Sequence, residues 1–170
     1  MKKSMVFAIA FAGIALAQAP SDPATLRPEV VAWLNQAYDR AHPPSLVGKT
    51  LPKVDGLDVA GHERTIAVFM MSTCPHCQKE LPYLSKLDTA ARQSGKAAVV
   101  PVFFARDKGA GAFLQPWPSS APAYIGEADD FRIAGTPTTL VIDKSGKVLQ
   151  AFVGELKPAD EEALLKLVSE

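Results

Sequence analysis

Cysteine is scarce in this chain, with two residues in 170. That excludes a multi-disulfide miniprotein, a four-cysteine zinc centre and a four-cysteine iron–sulfur cluster. Excess charge is missing as well, since 18 Lys and Arg balance 18 Asp and Glu. The balance argues against a strongly basic nucleic-acid binder and against an acidic tail. A membrane span needs roughly 20 apolar residues, and the run from Met5 to Leu16 falls short of it. Internal repeats and low-complexity tracts are lacking. What remains is a chain of single-domain size, 48% hydrophobic, able to bury a substantial core.

The chain begins Met1-Lys2-Lys3, passes through the apolar run and reaches Ala17-Gln18-Ala19. A basic start, a short apolar stretch and small residues around a cleavage point form the pattern of a secretory signal peptide. Residues 1–19 are therefore read as a cleaved signal, with an uncleaved anchor as the alternative. Cleavage after Ala19 removes Lys2 and Lys3 and no acid, so the mature chain becomes mildly acidic and keeps no stable membrane span. An exported protein, periplasmic or otherwise extracytoplasmic, works where disulfides form and persist.

Residues 20–45 read as an N-terminal helical extension. A proline-rich lead from Pro20 to Pro28 precedes Val30, Val31, Leu34, Ala37, Tyr38 and Ala41, which recur at helical spacing until His42-Pro43-Pro44. Over residues 46–170 the pattern predicts a weak strand at Lys53–Val59 and a strand buried on both faces at Thr65–Met71. A helix from Pro75 to about Gln93 and a second buried strand at Ala97–Phe104 follow. Ala105–Ala134 reads as irregular, with a short helix around Ala128–Ile133. Thr138–Asp143 and Val148–Val153 form a hairpin across Lys144-Ser145-Gly146-Lys147, and a helix from Glu161 to Ser169 closes the chain with Ala163, Leu164, Leu167 and Val168 inward. This order implies an α/β fold: a mixed central sheet with helices on both faces.

The two cysteines fall together as Cys74-Pro75-His76-Cys77, where a buried strand ends and a helix begins. Cys74 sits near the helix N-cap, with unpaired amides and the positive end of the helix dipole close by. Pro75 suits the first helical position, where its missing N–H is not needed. His76 adds a nearby positive charge. Each feature favours a thiolate on Cys74, and such settings bring cysteine from about 8.5 down to roughly 3.5–7.5. Cys77, one turn further in, is expected to be more buried and less acidic. Cys74 then attacks, or is attacked, and Cys77 resolves the mixed disulfide. Haem attachment would need a histidine where Gln78 stands. Zinc would need two more ligands, and His42 and His62 lie in unpatterned segments, so no metal site is assigned. Redox chemistry is favoured over metal binding and over an inert scaffold.

These residues resemble the thioredoxin superfamily over Gly48–Glu170. The resemblance rests on Val68 to Cys77, on Pro82 within the same helix and on Gly135-Thr136-Pro137-Thr138-Thr139-Leu140-Val141-Ile142-Asp143. It implies a thioredoxin fold, a cis bond before Pro137, and a Thr136 backbone that pairs with an extended substrate strand. The exported TlpA/ResA-like branch is most similar, through Val47-Gly48-Lys49-Thr50-Leu51-Pro52, Ala60-Gly61-His62 and Cys74-Pro75-His76-Cys77-Gln78-Lys79-Glu80-Leu81-Pro82. That branch implies a reductase for exported protein dithiols, such as apocytochromes or copper-centre proteins. The dipeptide Pro75-His76 resembles that of DsbA instead, although Phe104 to Gly135 is too short for the DsbA helical insertion. Val68 and Thr73 stand where thioredoxins carry a buried Asp and a Trp.

The expected protein is thus a monomeric thiol–disulfide oxidoreductase with no cofactor beyond a redox-active Cys74–Cys77 disulfide. Its partners are protein dithiols or disulfides and a redox protein that recycles the pair, with no nucleic acid. The reductive direction is preferred; a DsbA-like disulfide donor and a non-enzymatic metal- or partner-binding module are the alternatives. Glu80, three residues after Cys77, either tunes the thiols and relays a proton or is a solvated acid. Met70 and Met71 are expected as buried strand filler, and Phe113 and Trp117 as aromatic anchors of a surface loop. His42, His62 and Asp160–Glu162 receive no role.

Overall fold

Val68 has Pro101 on one side and Thr139 on the other, because the run Arg64–Met70 forms the central strand of the sheet. A computed structural model describes residues 28–30, 32, 45–105, 107–117, 121–126, 131 and 133–170 of the protein. The chain divides into two units, Met1–Ala37 and Tyr38–Glu170. In the first, residues 28–30 and 32 are helical. The signal segment 1–19 and most of the helix expected over residues 28–41 lie outside the described residues.

In the second unit the elements run β1 (Arg64–Met70), α1 (Pro75–Ser94), β2 (Ala97–Phe104), α2 (Ala110–Phe113), β3 (Ala123–Ile125), β4 (Thr138–Asp143), β5 (Val148–Val153) and α3 (Pro158–Ser169). The sheet order is β3-β2-β1-β4-β5. β2 lies parallel to β1 and β3, while β4 lies antiparallel to β1 and β5. β1 is apolar from Ile66 to Met70 because both of its faces are covered there. Ile66, Val68 and Met70 pack with Leu84 and Leu87 of α1 and Leu164 and Val168 of α3. Ala67 and Phe69 join Val102, Leu140 and Ile142 on the other side. That second face is covered, among the described residues, by Leu46, Leu51, Val54 and Leu57 and by Phe131 and Ile133. Most of the helix expected around Ala128–Ile133 lies outside the described residues.

Four expectations are corrected. Lys53–Val59 is not a strand: it makes one isolated bridge, Asp55 with Tyr124, as Thr50 just before it does with Lys147. Pro52 has no N–H to donate, Gly56 turns the chain with φ 85°, and the Asp58 carboxylate takes the Ala60 and Gly61 amides. β3 emerges from the stretch read as irregular, because Ala123–Ile125 finds its partners in Val102–Phe104. Trp117 is no surface anchor: it is fully buried, and its indole N–H donates to the Asp88 carboxylate over 3.1 Å. The closing helix starts three residues early, with Pro158 in its first turn beside Asp160 and Glu161.

Candidate active site

β1 ends at Met70, and a tight turn in which the Cys74 amide bonds to the Met71 carbonyl at 3.0 Å delivers Cys74 to the N-cap of α1. Met71, expected inside, lies beyond the strand end and is exposed. Pro75 takes the first helical turn as expected, and Pro82 lies within α1. Cys74 is half-buried and Cys77 fully buried, both as free thiols. The Cys74 sulfur accepts the Cys77 amide at 3.2 Å, as a side chain at an N-cap does, and its thiol donates to the Thr136 carbonyl at 3.3 Å. Thr136-Pro137 is a cis peptide. The loop is held on both sides: Thr138 Oγ1 donates to the Gly135 carbonyl at 2.7 Å, and the Gly154 amide donates to the Pro137 carbonyl at 2.8 Å. The fold thus brings the two distant motifs, Cys74–Cys77 and Thr136-Pro137, into direct contact.

The two sulfurs differ in proton affinity. Burial pushes the Cys74 thiol up, but hydrogen bonds from the Cys77 and Thr136 side chains and the Cys77 and His76 backbone outweigh it and leave it below its usual value of 9.0. Burial pushes the Cys77 thiol up to about 12, and the neighbouring Cys74 adds to the rise. The part of His76 that reaches Cys74 is its backbone. Its exposed imidazole turns instead to Glu155.

Glu80 is 5% exposed, which overturns its reading as a solvated acid. Its Oε1 accepts the Leu156 amide, and its Oε2 is buried with no partner among the described residues. Burial raises its carboxyl, Glu155 and Glu161 raise it further, and the Leu156 amide pulls against them. Glu155 was not flagged by sequence. It pairs with His76 and, at 3.3 Å, with Lys79, and no local motif announces a contact across so many residues. The three consecutive residues Gly154, Glu155 and Leu156 therefore reach the cis-proline loop, the exposed His76 and Lys79 of α1, and its buried Glu80 in turn.

A buried thiol behind a partly exposed one, with a cis-proline loop against the outer sulfur, is an arrangement suited to dithiol exchange. Residues 59–169 match the family described as Thioredoxin-like domain. The chain belongs to that family. It is 26% identical over 136 residues to thiol-disulfide oxidoreductase ResA of Geobacillus kaustophilus, covering 72% of this chain and 78% of that protein. It is 24% identical over 149 residues to ResA of Bacillus thuringiensis, covering 80% and 86%. The solved thioredoxin domain of a thiol-disulfide oxidoreductase from Bacteroides vulgatus superposes with a TM-score of 0.58 at 21% identity, covering 72% of this chain and 97% of that one. This member of the thioredoxin-like family is a thiol–disulfide oxidoreductase. No described helix is long and apolar enough to cross a membrane.

Proposed function

We propose that the protein acts outside the cytosol as a reductant of disulfides in exported proteins. The observation that carries thiol–disulfide exchange at this pair is its asymmetry: Cys74 half-buried with a lowered pKa, Cys77 buried with a raised one. Cys74 is the nucleophile. Its thiolate attacks a substrate disulfide, forming one S–S bond as the substrate bond breaks, and the departing substrate thiolate takes up a proton. Cys77 then gives up its proton and attacks the Cys74 sulfur. The Cys74–Cys77 disulfide forms, the substrate leaves as a dithiol, and two electrons have passed from enzyme to substrate. Glu80, three residues after Cys77 on α1 and with a raised carboxyl, receives or returns the proton that Cys77 must lose. Thr136 and Pro137 hold the substrate segment, Pro75 and His76 shape the helix start, and no group beyond the disulfide is required. A separate redox protein restores the dithiol.

Export rests on the Lys2-Lys3, Met5–Leu16 and Ala17-Gln18-Ala19 pattern. The reductive direction rests on the TlpA/ResA-like resemblance. One observation favours the reverse reading, a disulfide donor: stabilising the Cys74 thiolate stabilises the reduced enzyme and makes its disulfide more oxidising. The reduction potential of the pair separates the two. A value near about −270 mV marks a reductant, and one near about −120 mV a donor and the end of the reductive reading. The roles of the sulfurs are tested by trapping. Cys77→Ser should accumulate mixed disulfides through Cys74 and Cys74→Ser should not; equal trapping by both variants removes the assignment.

A further inference from the structure

The turn that carries Cys74 is tied to the loop after β2 through one carboxylate. Asp107 accepts the Ser72 amide at 2.6 Å on Oδ2, and the Ser72 hydroxyl and the Gly109 amide, the latter at 3.0 Å, on Oδ1. Asp107 is itself anchored, since its amide donates to the Phe104 carbonyl at 2.8 Å at the end of β2. Ser72 stands two residues before Cys74, inside the turn closed by the Cys74 amide and the Met71 carbonyl. Gly109 packs so closely on Ser72 that a β-carbon there would lie 2.9 Å from Ser72 Cβ and inside contact distance of its Oγ. Burial alone would raise the Asp107 carboxyl, but these hydrogen bonds outweigh it and hold it below its usual value, as expected when donors converge on the charged form.

We infer that Asp107 is a positioning residue for the nucleophile: by fixing Ser72 it holds the Cys74 sulfur where the Cys77 amide and Thr136 can bond to it. The reasoning is geometric. The Cys74 sulfur accepts the Cys77 amide of α1 at 3.2 Å, the bond that favours its thiolate, and as a thiol it donates to the Thr136 carbonyl of the cis-proline loop at 3.3 Å. Hydrogen bonds fall off steeply with misalignment, so a turn free to shift by a fraction of an ångström loses them. Two turn residues separate β1 from Cys74 after Met71, and among the described residues the Asp107 carboxylate is what pins Ser72 from outside the turn. The aspartate does not touch the reacting sulfur and takes no part in the exchange itself. The inference rests on Cys74 being the attacking thiol.

The sign of the effect separates positioning from plain charge. Removing a nearby negative charge would favour the Cys74 thiolate and lower its pKa, whereas losing the aligned bond from the Cys77 amide would raise it. The test is the pH dependence of iodoacetamide alkylation at Cys74, in the reduced full chain, for wild type and for Asp107→Asn, Ser72→Ala and Gly109→Ala, each with its melting temperature. Gly109→Ala displaces Ser72 without altering charge, and Ser72→Ala removes one bond while sparing the fold should Asp107→Asn fail to fold. The expected result is a Cys74 midpoint raised by about half a pH unit in the folded variants, a loss of about threefold in thiolate below the midpoint. A lowered midpoint in Asp107→Asn, or unchanged midpoints in Ser72→Ala and Gly109→Ala, overturns the positioning role even if the melting temperature falls. If Cys74 in the wild type is not the faster-reacting thiol, it is the nucleophile assignment that fails.

Discussion

At neutral pH the two thiols should differ greatly in reactivity, and the structure sets a lower bound on the difference. With its pKa near 12, Cys77 is thiolate in about one molecule in 10⁵ at pH 7. Cys74 lies below 9.0, so its thiolate fraction exceeds about one in 10². The ratio of attacking species is therefore more than about 10³. A more basic thiolate is intrinsically more nucleophilic, and a Brønsted slope of about 0.4–0.5 over three units returns about 15–30-fold to Cys77. Reduced protein treated with iodoacetamide at pH 7 should thus be alkylated at Cys74 at least about 30-fold faster than at Cys77. The complete burial of Cys77 can only widen the gap. Mass spectrometry of time points, peptide by peptide, measures both rates in one sample. Equal rates, or a faster Cys77, would refute the account of how burial and hydrogen bonding divide the pair.

Two further outcomes follow from buried carboxylates. Because its environment raises Glu80 above its ordinary 4.5, the folded protein holds that proton more tightly than the unfolded chain. Its contribution to stability is therefore full below the unfolded value and is lost as pH rises through the folded one. Glu80→Gln cannot ionise, so its melting temperature should fall less than that of wild type between about pH 4 and about pH 8; an equal or steeper fall contradicts this. Trp117→Phe removes a donor from the buried Asp88 carboxylate, which Arg92 also contacts at 3.0 Å. A hydrogen bond to a charged group contributes about 1.5–3 kcal/mol, so chemical denaturation should show a loss of at least that size, and a variant as stable as wild type would mean the bond is inert.

The strands and helices that carry their own signal were legible from the chain. β2, β4 and β5 begin and end at the expected residues because continuous apolar runs and the Lys144–Lys147 turn mark them locally. The cysteine motif was legible for the same reason, as a strand end meeting a helix start. What was hidden depends on partners distant in sequence. β3 exists through Val102–Phe104, and Trp117 is inside because Asp88, 29 residues away, accepts its N–H. Glu80 could not be assigned a side of α1 without the Leu156 amide that draws it in. No local pattern singles out Asp107; the folded turn shows that it holds Ser72. His76 points to a complementary lesson, since its position between the sulfurs suggested a charge on Cys74, while its ring is committed to Glu155.

The link between β5 and α3 constrains how this protein can vary. Gly154 has φ 87°, in the left-handed region that favours glycine. The next two residues meet neighbouring positions on α1, Glu155 at His76 and Lys79 and Leu156 at Glu80, so their spacing has to match the pitch of that helix as well as the reach to Pro137. An insertion or deletion of a single residue between Val153 and Pro158 would put the three contacts out of step with one another. Surface loops ordinarily absorb changes of length at little cost. This one behaves instead as a gauge block, its length set by the distance between two halves of the exchange site.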